Sequence, residues 1–286
     1  ETVVLTNLEP EHLDYHETWD NLLQSVINFT KRATGSPKVV FNLENEGSKR
    51  VVMAVGNSIG FGFNNPEFRS EYKNGFLYTS IGDFRFLQPG KHNALNALAA
   101  VETAFLLGID RKSSLESVSK FRGIKRRLEY FGNHEGIEIY DDYAHHPTEI
   151  NASTTALKEQ YPNQRLIVVF QPHLYTRTKQ LLMEFVNELS KADVVFITDI
   201  YPAREDPIAG VSSAVICEQL EKQGKEVNYV PSRHLLPRTV EKYVKQGDVV
   251  VGMGAGTIES FAKDFVDELQ RRNQPLKVLI LYGGSS

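Results

Sequence analysis

Beyond Gly136 the chain alternates between short, nearly unbroken apolar runs and longer stretches that are apolar on one side only. The runs are Ile137–Tyr140, Leu166–Phe170, Val194–Ile200, Val227–Val230 and Val249–Met253. Short runs rich in β-branched and aromatic residues suit strands covered on both faces. Between them come stretches such as Leu181, Leu182, Phe185, Val186 and Leu189, spaced to form one stripe of a helix. The alternation predicts an α/β fold with a Rossmann-like, mostly parallel sheet and helices on both of its faces.

The first part of the chain has a different rhythm. Thr2–Leu5 reads as a short buried strand, and Trp19, Leu22, Leu23, Val26 and Ile27 recur at helical spacing. From Lys38 to Leu87 the pattern predicts brief β segments at Val39–Asn42, Arg50–Val55, Phe76–Ser80 and Phe84–Leu87, divided by Gly, Asn and Pro turns. This stretch reads as scaffold. A helix follows in which Ala94, Ala97, Leu98, Val101, Ala104 and Phe105 share one face, with Gly108 as its stop. A basic cluster (Arg122, Lys125, Arg126, Arg127) then marks a change of composition, and the organisation expected is one domain over residues 1–123 and a second over 124–274.

Composition narrows the classes. With 286 residues, 41% hydrophobic and 24% charged, the chain has the make-up of a globular protein large enough for two domains. A net charge of -4 supplies no basic field for nucleic acid or an anionic membrane, and no apolar run approaches a bilayer span. The single cysteine, Cys217, excludes a disulfide framework and sits in a helical pattern as a core filler, so a reducing cytoplasm is expected. The chain opens at Glu1 without methionine and closes at Ser286 in a glycine turn, and is expected to be an excerpt of a longer protein.

Chemistry concentrates at the expected strand ends. IYDDYAHHPTEI, from Ile139 to Ile150, puts Asp141, Asp142, Tyr143, His145 and His146 just before Pro147 and Glu149, which suit the first turn of a helix. In an open α/β sheet such a strand-to-helix junction lies at the carboxyl edge, where ligands bind. The next connections carry QPHLYTRT, DIYPARED and GMGAGTIES, so four crossovers bring polar or glycine-rich groups to one edge. His173, Tyr175 and Arg177 beside Asp142 and His145 would form a dense site. Capped turns and close packing explain each cluster taken singly, and the G-x-G-x-G spacing from Gly252 to Gly256 is neither a dinucleotide fingerprint nor a P-loop. The pattern G-x-x-x-x-G-K-[ST] does not occur in the chain. Near the start, TNLEPEHLD offers oxygen ligands of the kind Mg2+ prefers, with His12 among them. At the helix around Ala94, Asn93 is either an N-terminal cap or an amide suited to an adenine edge.

Together these motifs resemble the Mur ligases. TNLEPEHLD is similar to the family's TN-x-x-x-DH-x-D loop, GKHNALNALAA to its G-x-HN-x-x-NA-x-AA helix, and RRLE to its arginine motif at the entry to the last domain. DDYAHHPTE, FQPHLYTRT and DIYPAREDPIAG resemble the branch that joins L-alanine to UDP-N-acetylmuramate. The resemblance covers the chain to about Leu269 and implies the end of a central ATPase domain followed by a whole C-terminal domain. It implies Mg2+ and ATP, an acyl phosphate of the muramate carboxyl, and attack by the amine of L-alanine. Position by position, it implies His12 near magnesium, Asn93 facing adenine, Arg127 on ATP and Asp142 near the ribose. Tyr143, His145, His173 and Arg177 would group around the amino acid and muramoyl end, with His145, His173 and Arg177 as the catalytic set and Arg177 suited to the L-alanine carboxylate.

Two positions depart from the family pattern: Glu11 where aspartate is usual and Leu174 where QPHRYTR has its first arginine. LKVLILYGGSS, over residues 275–286, resembles the opening strand and glycine turn of a D-alanine:D-alanine ligase, which implies a fused second enzyme acting on D-alanine. The alternatives are a related Mur-type peptide ligase, a folate polyglutamate ligase, which lacks the DDYAHHPTE run, and a non-catalytic nucleotide-binding module.

Overall fold

The structure is a computed structural model that describes residues 1–10, 13–33 and 37–272. His12 and the residues from 273 to 286, on which the magnesium contact and the fused second enzyme were expected, lie outside the described residues. The chain divides into two compact units. One comprises Glu1–Gly123 with Thr155–Gln160, the other Ile124–Thr154 with the chain from Tyr161 onward.

In the first unit, β1 (Thr2–Leu5), β2 (Lys38–Asn42) and β3 (Ser58–Phe61) form a parallel sheet in that order, with Val3 beside Val39 and Val40 beside Ile59. β4 (Ser70–Lys73), β5 (Phe76–Thr79) and β6 (Gly82–Arg85) make a separate antiparallel sheet. Its first turn is Asn74-Gly75, both at positive φ (52° and 76°), the pair whose twist matches a two-residue hairpin. The helix Lys91–Leu106 turns Ala94, Ala97, Leu98 and Val101 into a core shared with Val40, Phe61, Phe68 and Leu77. Small alanines let it approach the sheet closely. Glu102, fully buried on that helix, is held by two 2.8 Å bonds from Arg111.

Arg50–Val55 is not the strand its β-branched residues predict. It is the end of a helix, Glu46–Val55. The Asn45 side chain accepts from the Ser48 N–H at 2.8 Å and from Leu8 N–H at 3.0 Å, which caps the helix and ties it to the chain after β1. Gly47 allows that approach, since a Cβ there would lie 2.2 Å from the Leu8 carbonyl oxygen. Capping and packing override local propensity here.

The second unit carries a six-stranded sheet of β7 (Glu129–His134), β8 (Ile137–Asp142), β9 (Leu166–Phe170), β10 (Val194–Ile197), β11 (Glu226–Tyr229) and β12 (Val249–Met253). The order is β11-β10-β9-β12-β8-β7, parallel except for the edge strand β7. All residues of β9, β10 and β12 are buried, which is why those runs are unbroken in the sequence. On one face Ile139, Ile167, Val169 and Val250 pack with Leu236, Val240, Phe261, Phe265 and Leu269 of the helices Leu236–Glu241 and Phe261–Arg272. On the other, Phe170 meets Phe185 of the helix Leu182–Leu189, ring centroids 5.5 Å apart.

The strand order follows from how the chain crosses the sheet. The path from β8 to β9, β10 and β11 runs one way along the sheet, and the return to β12 puts its helix on the opposite face. β12 is inserted between β8 and β9, with Met253 opposite both Asp142 and Phe170. The connections leaving these three ends diverge to opposite faces, creating a switch-point crevice at the carboxyl edge.

Candidate active site

Four connections meet at that edge. The loop after β8 is pinned first, because Tyr143 N–H donates to the Arg126 carbonyl at 2.7 Å and Gly254 N–H to the Asp142 carbonyl at 3.1 Å. The helix Pro147–Gln160 follows, and Glu149 in its first turn reaches back to accept from His145 N–H at 2.9 Å and His146 N–H at 3.2 Å. This reciprocal capping satisfies donors that a helix start leaves bare. Burial opposes the ionised form of Glu149, but these bonds with His145 and Arg127 outweigh it and hold its pKa below the ordinary value.

His145 projects from this loop. Its Nδ1 lies 2.9 Å from the Tyr143 carbonyl and 3.2 Å from Glu149 Oε2. The imidazole packs edge-on against Tyr143 at 5.1 Å and against His173 at 5.8 Å between ring centroids. His173 comes from the connection after β9. It stacks on Tyr201 at 5.6 Å, and Leu174 N–H to Tyr201 O (2.9 Å) and Tyr201 N–H to Pro172 O (2.8 Å) lock the two connections together. Arg177 Nη1, one helical turn on, reaches His173 Nδ1 at 3.4 Å. Desolvation first, then the positive charge of Arg177, lowers the His173 pKa to about 4. His173 is therefore a neutral imidazole at neutral pH. Leu174, at φ 72°, starts the helix Tyr175–Gln180, and Glu205 accepts from Thr176 N–H at 3.0 Å.

Behind the histidines sit two buried carboxylates. Asp142 is 3% exposed and accepts from Ser153 Oγ and from Ala144 N–H, yet burial still raises its pKa to about 6. Asp141 is 1% exposed, and desolvation lifts it to about 7 against the opposing charge of Arg126. Arg126 gathers this corner by donating to Asp141 Oδ2 (3.3 Å), the Gly254 carbonyl (2.6 Å) and Glu259 (3.3 Å) while lying 4.9 Å from the Tyr143 ring centre. The Gln171 side chain ties the glycine turn from the other flank by accepting from Ile258 N–H at 3.0 Å.

Of the residues singled out in the sequence, Tyr143, His145, His173 and Arg177 come together at this edge. Arg127 adjoins them, 5.4 Å from the Tyr143 ring centre and 3.4 Å from Glu149. Asp142 lies beneath the loop with its carboxyl enclosed. Asn93 belongs to the first unit, where its side-chain amide donates to the Pro89 carbonyl at 2.8 Å at the start of the helix Lys91–Leu106. Arg126, Gln171 and Tyr201 carry no role in the sequence reading, and Glu149 only that of suiting the first helical turn, which it does occupy. Adjacent arginines in RRLE are indistinguishable by type, and only the backbone path at Arg126 (φ 61°) selects which enters the sheet edge. Among the described residues no three His, Cys, Asp or Glu side chains form a group that could hold a metal ion. Nor is any described helix long and apolar enough to cross a membrane.

A doubly wound parallel-sheet domain with imidazoles and guanidinium groups at its switch point, following a second α/β unit, defines a class that comparison with known proteins identifies. Residues 1–104 match the Mur ligase middle domain and residues 126–256 the Mur ligase, glutamate ligase domain. The chain belongs to the Mur ligase family. It is 35% identical over 282 residues to UDP-N-acetylmuramate--L-alanine ligase of Caldanaerobacter subterraneus subsp. tengcongensis, covering 93% of this chain and 60% of that protein. The corresponding ligase of Geobacter sulfurreducens is 34% identical, with 95% and 62% covered. The crystal structure of UDP-N-acetylmuramate-alanine ligase MurC from Thermotoga maritima superposes with a TM-score of 0.76 at 25% identity, over 94% of this chain and 60% of that one. In fold alone, MurF ligase from Thermotoga maritima in complex with ADP is also similar, with a TM-score of 0.72 at 20% identity, covering 95% of this chain and 62% of that one. The chain thus spans about 60% of the length of the curated relatives it matches.

Proposed function

We propose that the protein of which this chain is part joins L-alanine to UDP-N-acetylmuramate in the cytoplasm at the expense of ATP, with Mg2+ as the phosphate counter-ion. The observation that carries this reading is the convergence of His145, His173 and Arg177, from separate connections, at the switch point of a Mur-type domain. In the reaction, the muramate carboxyl becomes an acyl phosphate, the amine of L-alanine attacks the acyl carbon, and phosphate departs. A planar guanidinium such as Arg177 offers a paired-donor contact to the amino-acid carboxylate. Of the imidazoles beside it, His173, neutral at neutral pH, offers a hydrogen bond, and proton transfer falls to His145.

Arg127 is proposed to meet ATP, Asn93 to face adenine, and His12 to lie near magnesium. For Asp142 the enclosed carboxyl favours supporting the loop beneath the nucleotide over direct contact with the ribose. The resemblance of the last residues to a D-alanine:D-alanine ligase extends the proposal to a bifunctional protein.

The test is an amino-acid panel on the complete protein, scoring phosphate release that depends on both UDP-N-acetylmuramate and the amino acid. L-alanine is expected to give the highest turnover, and Arg177→Ala to raise its requirement about tenfold or more, in line with loss of one charge-assisted contact. Preference for another amino acid, or an unchanged requirement in the variant, would refute the reading.

A further inference from the structure

The helix Tyr175–Gln180, which carries Arg177, begins without a cap of its own. Leu174 stands at the cap position with φ 72° and a side chain that cannot accept a hydrogen bond. Its carbonyl is already engaged, receiving Thr178 N–H at 3.1 Å and Thr178 Oγ1 at 2.8 Å. A helix start leaves its first N–H groups bare, and a left-handed backbone at a bulky residue persists only where its surroundings hold it.

Both needs are met by the connection after β10. The Tyr201 carbonyl accepts from Leu174 N–H at 2.9 Å and so holds the left-handed residue. A turn closed by Glu205 N–H on the Pro202 carbonyl (2.9 Å) then brings the Glu205 carboxylate over the helix start. Its Oε2 accepts from Thr176 N–H at 3.0 Å and its Oε1 from the Thr176 hydroxyl. Thr176 N–H is a donor that a serine or aspartate at position 174 would take. Glu205 supplies the missing acceptor from 29 positions further along the chain.

We infer that Glu205 is a positioning residue for recognition of the amino-acid carboxylate: by capping this helix from a neighbouring connection, it fixes the turn from which Arg177 presents its guanidinium. Arg177 directly follows Thr176 in that turn, and its Nη1 lies 3.4 Å from His173 Nδ1. Fraying of the turn would swing the guanidinium away from the imidazole and from the ligand. The charge of Glu205 has the wrong sign to attract a carboxylate directly, so its contribution comes through the backbone it holds. The inference rests on the aminoacyl-ligase reading above.

Two substitutions separate the cap from the charge. E205A removes both contacts to Thr176. E205Q can keep both, since Oε1 accepts from the N–H and Nε2 donates to Thr176 Oγ1, but it loses the charge. In the complete protein, E205A is expected to raise the KM for L-alanine about tenfold, the scale of a lost helix cap, with the KM for ATP and for UDP-N-acetylmuramate within about twofold of the wild type. E205Q is expected to hold the KM for L-alanine within about threefold. Should E205A not fold, E205D, which keeps the charge but draws the carboxylate back by one methylene, takes its place with the same rise expected. An unchanged KM for L-alanine in E205A, an equal rise for all three substrates, or a rise in E205Q as large as that in E205A overturns the inference.

A measurement without substrate reads the cap itself. Burial pushes the Glu205 carboxyl up, but the bonds from the Thr176 hydroxyl and N–H outweigh this and hold its pKa below the ordinary value. In 15N-threonine spectra of the complete protein, T176S identifies the Thr176 signal by its disappearance. That amide proton is expected to shift as Glu205 titrates in acid, and the shift to vanish in E205Q. If the protein joins no amino acid while Thr176 follows Glu205, the ligase reading falls and the cap stands. If it joins L-alanine while Thr176 ignores the titration, the ligase reading stands and the inference falls.

Discussion

Replacing Arg126 with methionine isolates the charge that gathers this corner of the second unit. The side chain is roughly conserved in length, and three bonds are lost: to the Gly254 carbonyl, to Asp141 and to Glu259. The Glu259 contact is solvent-exposed and contributes little. The Gly254 carbonyl loses its charged donor whatever the pH, which costs about 1–2 kcal/mol. The Asp141 contribution depends on pH. Its folded pKa, about 7, lies above the ordinary 3.8, so its contribution to stability is complete in acid and is lost as pH rises through 7. Without Arg126 the folded pKa rises further, and the variant keeps losing stability above pH 7 where the wild type has stopped. Each pH unit is worth about 1.4 kcal/mol, so from pH 7 to 8.5 the gap widens by about 2 kcal/mol. Urea unfolding followed by circular dichroism should therefore give a loss of about 1–2 kcal/mol at pH 6 and about 3–4 kcal/mol at pH 8.5. Adding Asp141→Asn should abolish the difference between the two pH values. A loss that is equal at both, or a difference that survives the second substitution, refutes the assignment of Asp141 as the group held by Arg126.

Three further outcomes test the same corner. Gly254→Ala would put a Cβ at φ 147°, 2.8 Å from the Gln171 carbonyl oxygen and 2.9 Å from Ile258, and should lower stability by about 2 kcal/mol or more in a thermal melt. An unchanged melting temperature would mean the turn has room. Ser153→Ala removes the hydroxyl donor to buried Asp142 and should cost about 1–3 kcal/mol by urea titration, whereas Ser153→Thr retains a donor and should recover part of it. Proton titration of His173 by NMR should give a midpoint below 5. Because its folded pKa lies below the ordinary 6.5, the stability it contributes is present above that value and is lost as pH falls toward 4. A midpoint near 6.5 would show that His173 is neither desolvated nor beside Arg177.

The sequence by itself determined the class of fold. Buried parallel strands need apolar residues on both faces, and β9, β10 and β12 are legible as unbroken runs for that reason. It also determined that four chemically rich connections share one edge, because alternation of strand and helix returns the chain to the same end of the sheet each time. Tertiary structure alone decided which of those connections touch. Strand order is a long-range outcome, and only the insertion of β12 between β8 and β9 sets Gly254 under Asp142 and lets Arg126 bind both the glycine turn and Asp141. The helix Glu46–Val55 misled for a related reason: its fate rests on Asn45 bonding Leu8, a contact between residues 37 positions apart that local pattern does not carry.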